Sequence, residues 1–89
     1  MAVTEDATPQ RVEQVGQDVR EIAAKLASTA DDVARTLEYV ARVRETRAAQ
    51  SRPADAEALR QAARRARDTA ERERAEGRRL RTTWELPQR

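Results

Sequence analysis

Large apolar residues in the first half of the chain recur at alternating spacings of three and four. This valine seam runs from Val12 to Val43, and only Thr29 and Thr36 interrupt its aliphatic character. Its ten members are Val12, Val15, Val19, Ile22, Leu26, Thr29, Val33, Thr36, Val40 and Val43. They occupy positions a and d of a coiled-coil heptad, so the seam predicts one long helix that packs its apolar side against another helix.

The composition leaves two classes of chain open. Valine, isoleucine, leucine and phenylalanine number 13 of the 89 residues, a share below the roughly 20% under which disorder is expected. The net charge is only +2, however, and alanine, glutamate, lysine, leucine and arginine make up 51 of the 89 residues. Because this composition is combined with a heptad period, we expect an elongated helical protein rather than a disordered one.

Proline and glycine divide the chain into two helices. Thr8 followed by Pro9 is a helix start, since a hydroxyl caps free amides and proline fits the first turn. Pro53 begins a second helix, for which Ser51 is the expected cap, and the sequence leaves open whether this helix continues through Gly77. The predicted organisation is a disordered lead over 1–8, helix 1 over about 9–48, a turn over 48–52, helix 2 over about 53–84 and a tail over 85–89.

The second helix carries a seam in which small residues predominate. Its members are Leu59, Ala63, Ala66, Ala70, Glu73, Gly77, Leu80 and Trp84. Alanine lets two helix axes approach closely, so we expect this seam to pack against the valine-rich helix as a tight antiparallel pair. Small residues also flank the valine seam, and a face this broad is typical of a helix with more than one neighbour.

A hairpin of two helices covers each seam residue only in part, and the chain has no cysteine for a disulfide. We therefore predict an all-α fold, an antiparallel two-helix hairpin that is coiled-coil-like and dimerises into a four-helix bundle. The residues predicted to form the self-association seam are Val12, Val15, Val19, Ile22, Leu26, Val33, Leu37, Val40, Val43, Leu59, Ala63, Ala66 and Ala70.

Positive charge is concentrated in the second half of the chain, where residues 46–89 hold twelve bases and seven acids. Arginines recur there every seven residues, which is typical either of a flank that pairs with acids or of a surface that binds nucleic-acid phosphates. The acids expected to pair across the hairpin or the dimer are Asp18, Glu21, Asp32, Glu38 and Glu45. The candidates for a partner or nucleic-acid surface are Arg60, Arg64, Arg67, Arg74, Arg78, Arg81 and Trp84.

Catalysis is not expected from this chain. Without histidine or cysteine it has no imidazole base, no thiolate nucleophile and no zinc site of the usual kind. We predict no cofactor, no metal and no small-molecule ligand. No apolar stretch approaches the ~20 residues of a membrane span, so we expect no membrane partner. The first ten residues have no apolar run typical of a secretory signal and the chain has no cysteine, so we expect a cytoplasmic location.

The leading hypothesis is a non-enzymatic adaptor, scaffold or small regulator. We expect it to form a homodimer and to bind an unidentified protein partner. The alternative is a basic helical module that binds the nucleic-acid backbone without sequence specificity. The outline also looks like that of the small exported hairpins of type VII secretion. The Trp-x-Gly turn of that family is missing, since the only tryptophan is Trp84 near the C-terminus, so the family is not assigned.

Overall fold

A computed structural model describes residues 8–89 as two long helices that lie side by side. Helix α1 spans Pro9–Ala48 and helix α2 spans Pro53–Thr83, and together they form a rod of 74 × 24 × 14 Å. The described residues contain no strand, and the predicted all-α pair of packed helices is confirmed. Of the predicted disordered lead, residues 1–7 lie outside the described residues.

The helix ends show how local sequence sets the boundaries. Thr8 accepts a hydrogen bond from the amide of Arg11 at 3.2 Å, and Pro9 follows it in the first turn. The prediction that Ser51 is the N-cap of α2 is wrong. Arg52 occupies the N-cap position, and its side chain makes no capping hydrogen bond. The Ser51 hydroxyl instead donates to the carbonyl of Arg47 at 2.7 Å, so it satisfies the end of α1 rather than the start of α2.

The two helices meet through alanine on both sides. The buried residues of the contact are Ala23, Ala27, Ala30, Ala34, Ala41 and Ala48 on α1 and Ala56, Ala63, Ala66, Ala70 and Gly77 on α2. The valine seam, which we expected to face α2, therefore lies beside the contact rather than in it. Small side chains permit close approach of the two backbones, and the alanine positions of α1 also repeat every 3.5 residues.

Helix α2 runs without a break through Gly77 and ends in a Schellman motif. The amide of Leu86 donates to the carbonyl of Arg81 at 2.8 Å and the amide of Glu85 donates to that of Thr82 at 3.3 Å. Glu85 takes the left-handed position of this motif with φ 53°, a position that glycine usually fills. The motif reverses the chain, so the tail returns toward α1.

Candidate interaction surface

The valine seam forms an exposed apolar strip along α1. Val12, Val15, Ile22 and Leu26 are 54–63% exposed, and Val33 and Val43 are each 40% exposed. Only Val19 and Val40 of the aliphatic members are half-buried. Soluble monomers rarely expose a continuous apolar patch on this scale, and such patches mark sites of association.

The C-terminal tail does not cover this strip. Arg20 donates from Nε to the carbonyl of Trp84 at 3.1 Å and from Nη2 to that of Glu85 at 3.0 Å. Arg89 donates to the Ser28 hydroxyl at 3.2 Å. Ser28 lies six residues from Ile22, which at 100° per residue is about 120° from the seam position. The tail therefore packs on another side of α1 and leaves the valine seam open.

Trp84 does not form the cap over the hairpin end, which is one of the two roles that the sequence suggests for it. The sequence suggested a cap over the end of the hairpin near Val12 and Val15 or, alternatively, an anchor for another protein. Trp84 is 38% exposed and lines an open cleft with Gly16 and Arg20. Since Val12 and Val15 remain exposed, the tryptophan does not cap them.

An arginine ladder, made of Arg67, Arg74 and Arg81, joins α2 to α1. Arg67 binds both carboxylate oxygens of Glu45 at 3.2 and 2.5 Å, and Arg74 binds those of Glu38 at 3.1 and 2.6 Å. Arg81 donates to Asp31 at 2.6 Å. The arginines and their acids each recur every seven residues, in opposite directions along the two helices. The ladder thus fixes the antiparallel register of the hairpin.

The last step of the ladder is buried. Asp31 is 7% exposed and Arg81 is 5% exposed, and they are the two buried charged residues among residues 8–89. Gly77 makes room for them, since a Cβ on this residue would lie 3.1 Å from Asp31 Oδ1 and 3.3 Å from Arg81 Nη1. Arg89 adds a second cation 3.6 Å from Asp31. Within the described residues no buried side-chain polar atom lacks a hydrogen-bond partner.

The ladder lowers the pKa of its three carboxyl groups. For Asp31 the hydrogen bond from Arg81 is the main cause of the lowered pKa, and burial opposes it. The pKa of Glu38 is lowered chiefly by its hydrogen bond with Arg74, and that of Glu45 by its hydrogen bond with Arg67. A carboxyl group whose pKa is lower in the folded state contributes stability above its unfolded pKa.

We expect this stability to be lost in acid. The three ladder carboxylates have unfolded pKa values of about 4, so the melting temperature should be level above pH ~5 and fall below pH ~4, as each group passes through its lower folded pKa. Circular dichroism melts at several pH values measure this. The double substitution Glu38→Gln with Glu45→Gln should make the acid-induced fall shallower, and Glu21→Gln, outside the ladder, is the control. An unchanged slope in the double variant would contradict the assignment.

The arginines proposed for a partner or nucleic-acid surface all lie within ion-pairing distance of a carboxylate. The pairs are Arg60 and Arg64 with Glu57, Arg67 with Glu45, Arg74 with Glu38, Arg78 with Glu71 and Arg81 with Asp31. Glu38 and Glu45 were predicted as cross-helix partners, whereas Asp32 pairs with Arg35 in its own helix. Asp31 was missed, although its spacing of seven from Glu38 matches the arginine repeat.

No protein-family model, curated protein or solved structure matches this chain. Within residues 8–89 neither helix has the length of apolar sequence that a membrane span requires. The same residues bring together no group of three or more acidic, histidine or cysteine side chains that could hold a metal ion.

Proposed function

We propose that this protein is a non-enzymatic interaction module that self-associates through the valine seam, so that two hairpins form a four-helix bundle. The exposure of the seam on an otherwise satisfied hairpin is the observation that supports the proposal. Adaptor, scaffold and small regulator are the roles that such a module fills, through contact with another protein once the bundle has formed.

The size of the seam is adequate for association. From Val12 to Val43 the seam extends about 47 Å at 1.5 Å per residue. A strip of that length and about 10 Å width on each copy buries roughly 1,000 Å² in all, near the lower limit for a specific interface. Burial of side chains that are now 40–63% exposed is the driving force.

The arrangement of charge supports a protein partner over nucleic acid. Asp31 lies nine residues from Ile22, about 180° around α1, so the ladder and the valine seam lie on opposite sides of this helix. The candidate arginines that phosphate would need already have carboxylates beside them. No contact among residues 8–89 favours the nucleic-acid alternative.

Leu26→Asp tests the proposal, because a charge at the middle of the seam must be desolvated when two copies meet. We expect the wild-type protein to sediment at twice the chain mass at tens of micromolar, and the variant to sediment as a single chain. Val33→Asp should behave in the same way. Analytical ultracentrifugation gives the mass, and circular dichroism reports whether the hairpin is retained.

Ala75→Asp is the matched control for these variants. Ala75 is exposed on α2, so the substitution adds the same charge outside the seam, with a loss of helix propensity at least as large. It should leave the mass unchanged. A wild-type protein that is a single helical chain at these concentrations, or a Leu26→Asp variant of unchanged mass, would overturn the proposal.

A further inference from the structure

We infer that the occupant of the valine seam is a second copy of this chain, packed antiparallel in one register that Lys25 and Asp32 select. This inference rests on the proposed function and adds the direction and alignment of the two α1 helices. It follows from the seam, which is exposed in the hairpin, and from the charges along its outer edge.

The seam pairs best with itself in the antiparallel direction. In such a coiled coil each a position packs against a d position of the other helix. When the two seams overlap fully, each seam residue packs against one seam residue of the second copy, in a layer of the core. The five kinds of layer are Val12 with Val43, Val15 with Val40, Val19 with Thr36, Ile22 with Val33, and Leu26 with Thr29. Each threonine then faces a large aliphatic side chain. In a parallel pair a meets a and d meets d, so Thr29 and Thr36 each face their own copies.

Charge is complementary in this register. The outer edge of the seam, at heptad position g, holds Asp18, Lys25, Asp32 and Tyr39, and all four are exposed in the hairpin. Full antiparallel overlap places Lys25 opposite Asp32 of the second copy, so that it joins Arg35 as a second cation at this carboxylate, and by symmetry this contact forms twice. It also places Asp18 opposite Tyr39 of the second copy, whose hydroxyl is a hydrogen-bond donor.

Neighbouring registers bring like charges together. A slip of one heptad in one direction places Lys25 opposite Lys25 and Asp18 opposite Asp32. A slip in the other direction places Asp32 opposite Asp32. Each slip also removes one of the five kinds of layer. Like charges that are juxtaposed across an interface disfavour the wrong alignment, so the edge residues select one register.

The parallel arrangement lacks this complementarity. In a parallel pair each g residue faces an e residue of the other helix. The e residues that Asp18, Lys25 and Asp32 would face are Ala23, Ala30 and Leu37, respectively. Ala23 and Ala30 are already buried against α2 and Leu37 is half-buried. No charged pair forms, so nothing along the edge favours the parallel direction.

A charge exchange tests the pairing of Lys25 with Asp32. Lys25→Asp and Asp32→Lys should each weaken the dimer by about tenfold, since two attractive pairs become repulsive. Their combination in one chain should restore the dissociation constant to within about threefold of wild type, because the pairs are re-formed with reversed sign. Mixing the two single variants should give a heterodimer in preference to either homodimer.

A distance measurement tests the register directly. The chain has no cysteine, so Gln14→Cys places a single spin label on an exposed position of α1 outside the seam. The proposed register separates the two labels by about 40 Å along the helix axis, whereas slips of one heptad give about 30 or about 50 Å, all at 1.5 Å per residue. A parallel dimer brings the labels within ~20 Å, a distance set by helix spacing rather than register.

Failure of this inference is separable from failure of the proposed function. A dimer whose label distance differs from about 40 Å, or single charge variants that bind as well as wild type, would overturn the register and leave self-association intact. A wild-type chain that sediments as a monomer would remove both. A distance of about 40 Å together with rescue by the double exchange supports the inference.

Discussion

Asp31→Ala should unfold much of the hairpin. The substitution leaves the buried Arg81 guanidinium without its carboxylate, and loss of one partner of a buried pair costs about 3–5 kcal/mol. Natural domains have only about 5–15 kcal/mol of stability in total, and a two-helix rod lies at the low end of this range. Urea denaturation followed by circular dichroism measures the loss.

Asp68→Ala is the matched control, because Asp68 is exposed and forms no ion pair among residues 8–89. It should change the stability by less than ~0.5 kcal/mol. Replacing both buried partners, as Asp31→Leu with Arg81→Leu, should recover most of the loss, since apolar groups of similar volume leave no buried charge. A loss below ~1 kcal/mol for Asp31→Ala would mean that water reaches the pair.

Ala34→Leu should be the second strongly destabilising change. Ala34 is 0% exposed at the middle of the helix contact, so three additional carbon atoms have no space unless the helices separate. Overpacking of this kind costs typically 1–3 kcal/mol, and here separation would also lengthen the Glu38–Arg74 hydrogen bonds. Thermal melts of Ala34→Leu and of the equivalent Ala41→Leu give the size of the effect.

Whether Ala34→Leu lowers or raises the stability shows which of the two faces of α1 packs against α2. If the valine seam faced α2, Ala34 would lie at the edge of the contact, and leucine there would add apolar burial and stabilise the protein. Ala75→Leu, at an exposed position of α2, is the control and should be nearly neutral because leucine is a good helix former. A raised melting temperature for Ala34→Leu would reject the alanine contact.

The sequence alone determined the elements of this fold. The bounds of α1 follow from Thr8 and Pro9 at its start, and Pro53 marks the start of α2, because these effects act within a few residues of chain. The heptad spacing of Glu38 and Glu45 was enough to predict that these acids pair with arginines of the other helix. The sequence does not decide the role of Ser51, because a hydroxyl in a short turn lies close enough to bond with either helix, and the geometry of the turn determines which.

Only the tertiary structure decided which side of α1 meets α2. The valine seam and the alanine face around Ala34 both repeat every 3.5 residues and lie side by side on one helix, so periodicity cannot rank them. Which face of α1 packs against α2 depends on α2 itself. Its alanines allow close approach, and its arginines can pair with Asp31 and with the acids at the same heptad position only if the alanine face is in contact. Packing depends on two helix surfaces together, and the heptad repeat of α1 describes only one of these surfaces.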